Sequence, residues 1–194
     1  MPETWLLIVR HPETEANVTG RFVGRGASPY TAEGRREARR LPGKIAAFRP
    51  DAILTSPLER ARTVAERAGR HAHVPVTVDE RLCELDFGDA EGMTYEEIAE
   101  AGMSFNYRSV ADPVAPGGES RASIAARSGA VADELVARGG RFAVVAHGGV
   151  VRSMITHLLG LPGDAIWSFH VHNAQLATVH VVEGHGSLEE YVRG

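Results

Sequence analysis

The chain of 194 residues has one cysteine, Cys83, so no internal disulfide can form. A lone thiol fits a reducing compartment, and a cytoplasmic protein is expected. No apolar run approaches the ~20 residues of a membrane span, and Leu6–Val9 is too short and lacks a basic start for a signal segment. A basic surplus is also missing. The formal net charge is −4, which argues against a general nucleic-acid partner but leaves room for a local cationic pocket. There is no G-x-S-x-G elbow of a serine hydrolase and no Walker A loop of an NTPase.

What is present is a set of short apolar runs: Trp5–Val9, Ala52–Thr55 and Phe142–Ala146, with Val74–Val78 weaker. They have the character of strands buried on both faces of a parallel sheet. Leu176–Val182 reads as a late strand at an edge, and an exposed edge there would offer a pairing surface for a homodimer.

Helical patterns lie between the runs. Ala38, Leu41, Ile45 and Phe48 form an apolar stripe, with a kink expected at Pro42. Ser56-Pro57-Leu58-Glu59 reads as a capping box that starts a helix through about Ala68, and Thr94-Tyr95-Glu96-Glu97 as a second box. Ile124, Ser128, Val131 and Leu135 line a helix ending at Gly139-Gly140. Val151, Met154, Ile155 and Leu158 line another, closed by Gly160. The alternation predicts a three-layer α/β/α fold with a mostly parallel central sheet. One domain over residues 1–194 is expected, with an irregular lid or insertion over about 86–120.

Two of the strands stop in a histidine: Val9 is followed by Arg10-His11, and Ala146 by His147-Gly148-Gly149. Ligands of open α/β sheets gather at the carboxyl ends of strands. An arginine and two histidines there suit an anion. Two other segments complete a set: Ser56-Pro57-Leu58-Glu59-Arg60-Ala61, and Glu84-Leu85-Asp86-Phe87-Gly88-Asp89-Ala90-Glu91-Gly92.

In this order the four segments resemble the histidine phosphatase superfamily, in its phosphoglycerate mutase-like branch, over nearly the whole chain. The resemblance implies a phosphoglycerate mutase-like fold, a phosphohistidine intermediate, no metal and no cofactor. His11 corresponds to the nucleophile, Glu84 to the proton donor, and His147 to the histidine that binds the transferring phosphoryl group. Arg10, Arg60, Asn17 and Gly148 correspond to the phosphate-binding set. Arginine forks match phosphate oxygens, and positive neighbours keep a nucleophilic imidazole neutral. Pro12 departs from the family's glycine after the histidine and removes one backbone donor.

Competing acids are Asp86 and Glu91, and Arg62 competes with Arg60. Arg21 and Arg25, in a glycine-rich loop, and the segment from Gly102 to Glu119 are the expected specificity wall. The pairs His71/His73 and His170/His172 lack accompanying carboxylates or cysteines, so no metal site is expected. The expected activity is phosphomonoester hydrolysis of a small metabolite. A phosphoglycerate mutase and a non-catalytic phosphate-binding domain are the alternatives that use the same residues.

Overall fold

A computed structural model describes residues 2–194. Six strands form one sheet: β1 (Thr4–Arg10), β2 (Ala52–Thr55), β3 (Val76–Val78), β4 (Gly140–Ala146), β5 (Gln175–Val182) and β6 (His185–Arg193), in the spatial order β3-β2-β4-β1-β5-β6. The first four are mutually parallel, β5 runs antiparallel to β1, and β6 runs antiparallel to β5.

Alternation decides the layers, because successive side chains of a strand point to opposite faces. Leu7, Val9, Ile53, Ala143 and Val145 face one side. They are covered by Ala38, Leu41 and Ile45 of α2 (Ala32–Ala47) and by Ala61, Val64 and Ala68 of α3 (Glu59–Ala72). Leu6, Ile8 and Val144 face the other side. Here Ile124, Val131 and Leu135 of α5 (Arg121–Arg138) pack with Val151, Met154 and Ile155 of α6 (Gly148–Leu158). Two short helices, α1 (Glu15–Val18) and α4 (Tyr95–Glu100), complete the set. Thr94 caps α4 in a capping box, as its sequence predicts. No helix among the described residues is long and apolar enough to cross a membrane.

Three readings need correction. Leu176–Val182 is not an edge: β5 is bonded to β1 on one side and β6 on the other. The homodimer surface inferred from that edge is therefore occupied by the chain itself. Strand β6 went unread because its residues are mostly polar and exposed, with no alternation. Its connection to β5 is a two-residue turn in which Glu183 and Gly184 both have positive φ, 51° and 82°, as a tight hairpin of primed type requires.

Pro42 lies inside α2, which continues to Ala47 with Leu41, Pro42 and Ile45 all buried. Burial of that face outweighs the one helical bond a proline removes. Ser56 does not cap α3. Leu58 takes the cap position in an extended conformation, without a side-chain bond, and the helix begins at Glu59 and runs to Ala72.

The segment from Gly102 to Ser120 has no regular helix or strand, but it is tied down. Asn106 N–H donates to the Val114 carbonyl, and Glu119 N–H to that of Asp86. Phe105 and Tyr107 lie parallel at 5.9 Å and pack with Phe22 and Phe87.

Candidate active site

The register of the sheet builds the site. Arg10 of β1 pairs with Ala146 of β4, and Thr55 of β2 with Val145 of β4. Three adjacent parallel strands thus end together, and the next residue of each is polar: His11, His147 and Ser56. His11 N–H still donates to the Ala146 carbonyl at 2.9 Å. The two imidazoles are buried, with ring centroids 5.1 Å apart and planes tilted by 57°.

His11 Nδ1 lies 2.7 Å from the Pro12 carbonyl oxygen. A carbonyl only accepts, so Nδ1 carries the proton and Nε2 of the neutral ring keeps its lone pair. Burial, then the charges of Arg10 and Arg60, hold the His11 pKa well below the usual histidine value. His147 is likewise held well down, first by burial and then by His11 and the two arginines. Its Nε2 is 2.7 Å from Ser56 Oγ, and its Nδ1 is buried with no partner among the described residues. Ser56 Oγ also accepts the N–H of Leu58, so the Ser56 hydroxyl proton is available to His147 Nε2.

The arginines are clamped by carbonyls. Arg10 donates through Nη1 to Val171 O at 2.7 Å, while its Nε is buried without a partner. Arg60, only 6% exposed, donates to the carbonyls of Val23, Gly24 and Gly26. That loop presses on the chain so closely that a Cβ on Gly24 would sit 2.0 Å from Leu85 O. Arg62 faces away, in an exposed pair with Glu66. Gly148 opens α6 beside Arg10. A Cβ there would lie 3.5 Å from Arg10 Nε and 3.4 Å from an Arg152 nitrogen. The helix N-terminus adds its own positive end to the site.

Of the three candidate acids, Glu84 alone acts on both Arg10 and Arg60. Its carboxylate accepts the N–H groups of Leu85 at 2.8 Å and Gly149 at 3.1 Å. Glu91 accepts the N–H groups of Gly24 and Gly26, which shapes the Arg60 loop. Asp86 accepts the N–H of Gly88.

Asn17 lies at the exposed rim. Its Oδ1 accepts from Thr14 N, Thr14 Oγ1 and Asn173 Nδ2, which fixes the amide with Nδ2 as the remaining donor. Arg21 is placed away from the cluster, in a bidentate pair with Glu97 at the surface. Arg25 is exposed and lines a cavity with Asp86, Gly117, Gly118 and Glu119. His170 and His172 pack on each other at 4.2 Å, and the described residues contain no group of three histidine, cysteine, aspartate or glutamate side chains arranged for a metal.

A model of the histidine phosphatase superfamily (branch 1) matches residues 6–193. The chain belongs to this superfamily. It is 34% identical over 170 residues to glucosyl-3-phosphoglycerate phosphatase of Mycolicibacterium vanbaalenii, covering 82% of this chain and 76% of that one. It is 31% identical over 183 residues to phosphoserine phosphatase 1 of Hydrogenobacter thermophilus, covering 92% and 87%. A solved mycobacterial glucosyl-3-phosphoglycerate phosphatase complexed with VO3 superposes with a TM-score of 0.86 at 28% identity, covering 98% of this chain and 99% of that one.

Several residues around this cluster carry no signal of their place there in the sequence. Ser56 reads locally as a helix cap. Asn173 meets Asn17 across 156 positions. Arg127 binds the carbonyls of Arg81, Cys83 and Glu84 and pairs with Glu119 at 2.8 Å, so it fixes the segment that carries Glu84. Only a fold brings such pairs together.

Proposed function

We propose that this superfamily member is a phosphomonoesterase that hydrolyses a small phosphorylated metabolite through a phosphohistidine at His11. The observation that carries the reading is the fixed tautomer of His11, whose free Nε2 lies in a buried cluster beside His147 with two donors, Arg10 Nε and His147 Nδ1, left unpartnered. Buried donors without partners are rare, and an anion would satisfy both.

In this mechanism the phosphoryl oxygens take the Arg10 and Arg60 guanidinium charge, the Asn17 amide and the His147 Nδ1 proton. His11 Nε2 forms a bond to phosphorus as the ester P–O bond breaks, and Glu84 gives its proton to the leaving oxygen. Glu84, now a carboxylate, takes a proton from water, whose oxygen displaces His11 and releases inorganic phosphate. Spreading charge over fixed donors accounts for most of the rate, as in other phosphoryl transfers. The relatives named above are phosphatases of small phosphorylated metabolites, which favours hydrolysis over the mutase alternative. The one cysteine, Cys83, forms no disulfide, which accords with the cytoplasm as its place of action.

The test is release of phosphate from p-nitrophenyl phosphate with EDTA present, with a quench that traps an acid-labile, base-stable phosphoenzyme. His11→Ala is expected to lose both turnover and the trapped species. Undiminished turnover by that variant would falsify the mechanism.

A further inference from the structure

One buried acid has no part in the chemistry described so far. Glu37 of α2 is 3% exposed, and the other buried residues of that helix are apolar or glycine. A carboxylate taken out of water is costly unless it is bonded. Glu37 Oε2 accepts the N–H of Glu13 at 2.8 Å. That N–H belongs to the same planar peptide group as the Pro12 carbonyl, which takes the Nδ1 proton of His11 at 2.7 Å. A continuous path therefore joins imidazole to carboxylate: Nδ1–H to carbonyl oxygen, across one amide, and N–H to Oε2.

The amide is gripped on several sides. Pro12 fixes its own φ, so the carbonyl has one rotation fewer. Glu13 O accepts the N–H of Thr31, the cap of α2, and Glu13 Oε1 accepts the Thr31 hydroxyl at 2.6 Å. Gly34 lies so close that a Cβ there would be 1.8 Å from Glu13 O. Helix α2 is thus pressed onto the residues that follow His11. Glu33, one turn earlier, pairs instead with Arg36 and Arg40 at the surface.

Charge gives the path a direction. When His11 Nε2 bonds to phosphorus the ring becomes cationic, and the charges of Arg10 and Arg60 oppose this. Hydrogen bonds in a chain polarise one another, so an amide whose N–H meets a carboxylate carries more negative charge on its oxygen. A carboxylate at the far end favours both the Nδ1–H tautomer and the cation that forms. An acid bonded to histidine plays the same part in hydrolytic triads.

We propose that Glu37 is a positioning residue of the phosphoryl transfer, acting on His11 through the Pro12–Glu13 peptide group. This deepens the phosphatase reading and rests on it. Burial raises the Glu37 pKa. The bond from Glu13 N–H opposes the rise, the charges of Glu13 and Glu33 add to it, and that of Arg193 opposes it.

The test has two arms. In free protein carrying 15N-histidine and 13C-glutamate, the Nδ1–H resonance of His11 is assigned by its absence in His11→Ala. As pH falls it is expected to move with the midpoint of the Glu37 carboxyl signal. In Glu37→Gln, which keeps an acceptor for Glu13 N–H and loses the charge, it should stand at the shifted position throughout. In the second arm, single-turnover formation of phosphoenzyme from p-nitrophenyl phosphate at pH near 7 is expected to slow about five- to tenfold in Glu37→Gln, the difference between a charged and a neutral hydrogen bond. Half-saturation by substrate should stay as it is, because no phosphate donor is touched. Glu33→Gln removes a neighbouring surface carboxylate and should leave the rate as it is. A His11 resonance that ignores the Glu37 titration overturns the proposal, and that measurement needs no variant to fold. A Glu37→Gln protein that loses melting temperature but phosphorylates at the native rate overturns it too. A native protein that cleaves p-nitrophenyl phosphate without this coupling refutes the Glu37 role alone, and one that forms no phosphoenzyme refutes the phosphatase reading.

Discussion

Gly149→Ala is expected to damage chemistry far more than folding. A Cβ at this position would lie 2.4 Å from Glu84 Oε1 and 2.9 Å from Ile124 Cδ1, where ordinary contact begins near 3.4 Å. The Glu84 carboxylate must therefore retreat by about 1 Å. A misplacement of that size costs up to ~100-fold in rate. Overpacking costs about 1–3 kcal/mol, but alanine exceeds glycine in helix propensity by about 1 kcal/mol, so the net loss of stability is expected near 1 kcal/mol. The leaving group discriminates further. p-Nitrophenolate departs without a proton, whereas an alkoxide needs one from Glu84. The variant should thus lose markedly more kcat on an alkyl phosphate than on p-nitrophenyl phosphate, while a urea melt changes little. Gly43→Ala in α2, where a Cβ meets nothing within 4 Å, is the control and should leave both rates as they are. Equal losses on the two substrates, or none, would show that Glu84 is not the acid that this glycine makes room for.

Three further outcomes follow from the same contacts. Ser56→Ala leaves His147 Nε2 and Leu58 N–H without their partner. It is expected to cost about 1–3 kcal/mol in a denaturant melt and about tenfold or more in kcat, and a silent substitution would remove Ser56 from the site. Arg127→Met strands the half-buried Glu119 carboxylate and three carbonyls, and a destabilisation of about 1–3 kcal/mol is expected, with thermal melting as the check. Both buried histidines have lowered folded pKa values, so below the unfolded value of about 6.5 the unfolded chain binds protons that the native state refuses. Their contribution to stability is complete above that pH and is lost as pH falls through and below it. His147→Gln should flatten the slope of unfolding free energy between about pH 6.5 and 5, and an unchanged slope would contradict the burial argument.

The strand-end histidines were legible because each follows a contiguous apolar run, and contiguous runs are what a sequence displays. The core faces of α2, α5 and α6 were legible for the same reason: their stripes repeat at helical spacing. Ser56 was misread because Ser-Pro-Leu-Glu satisfies a local cap pattern, while its real partner is 91 positions away on another strand end. Strand β6 offered no alternation, since its side chains are mostly exposed. Arg21 was read as a wall of the site from its loop, but its partner Glu97 belongs to α4. Long-range pairs leave no periodic mark.

The bond from His11 Nδ1 to the carbonyl of Pro12 bears on how such chains are found. Every amino acid brings a carbonyl, so the atom that orients the ring proposed to attack is indifferent to which side chain follows the histidine. Genomic pattern scans that demand a glycine at that spot would discard this chain although the tautomer of its ring is fixed all the same.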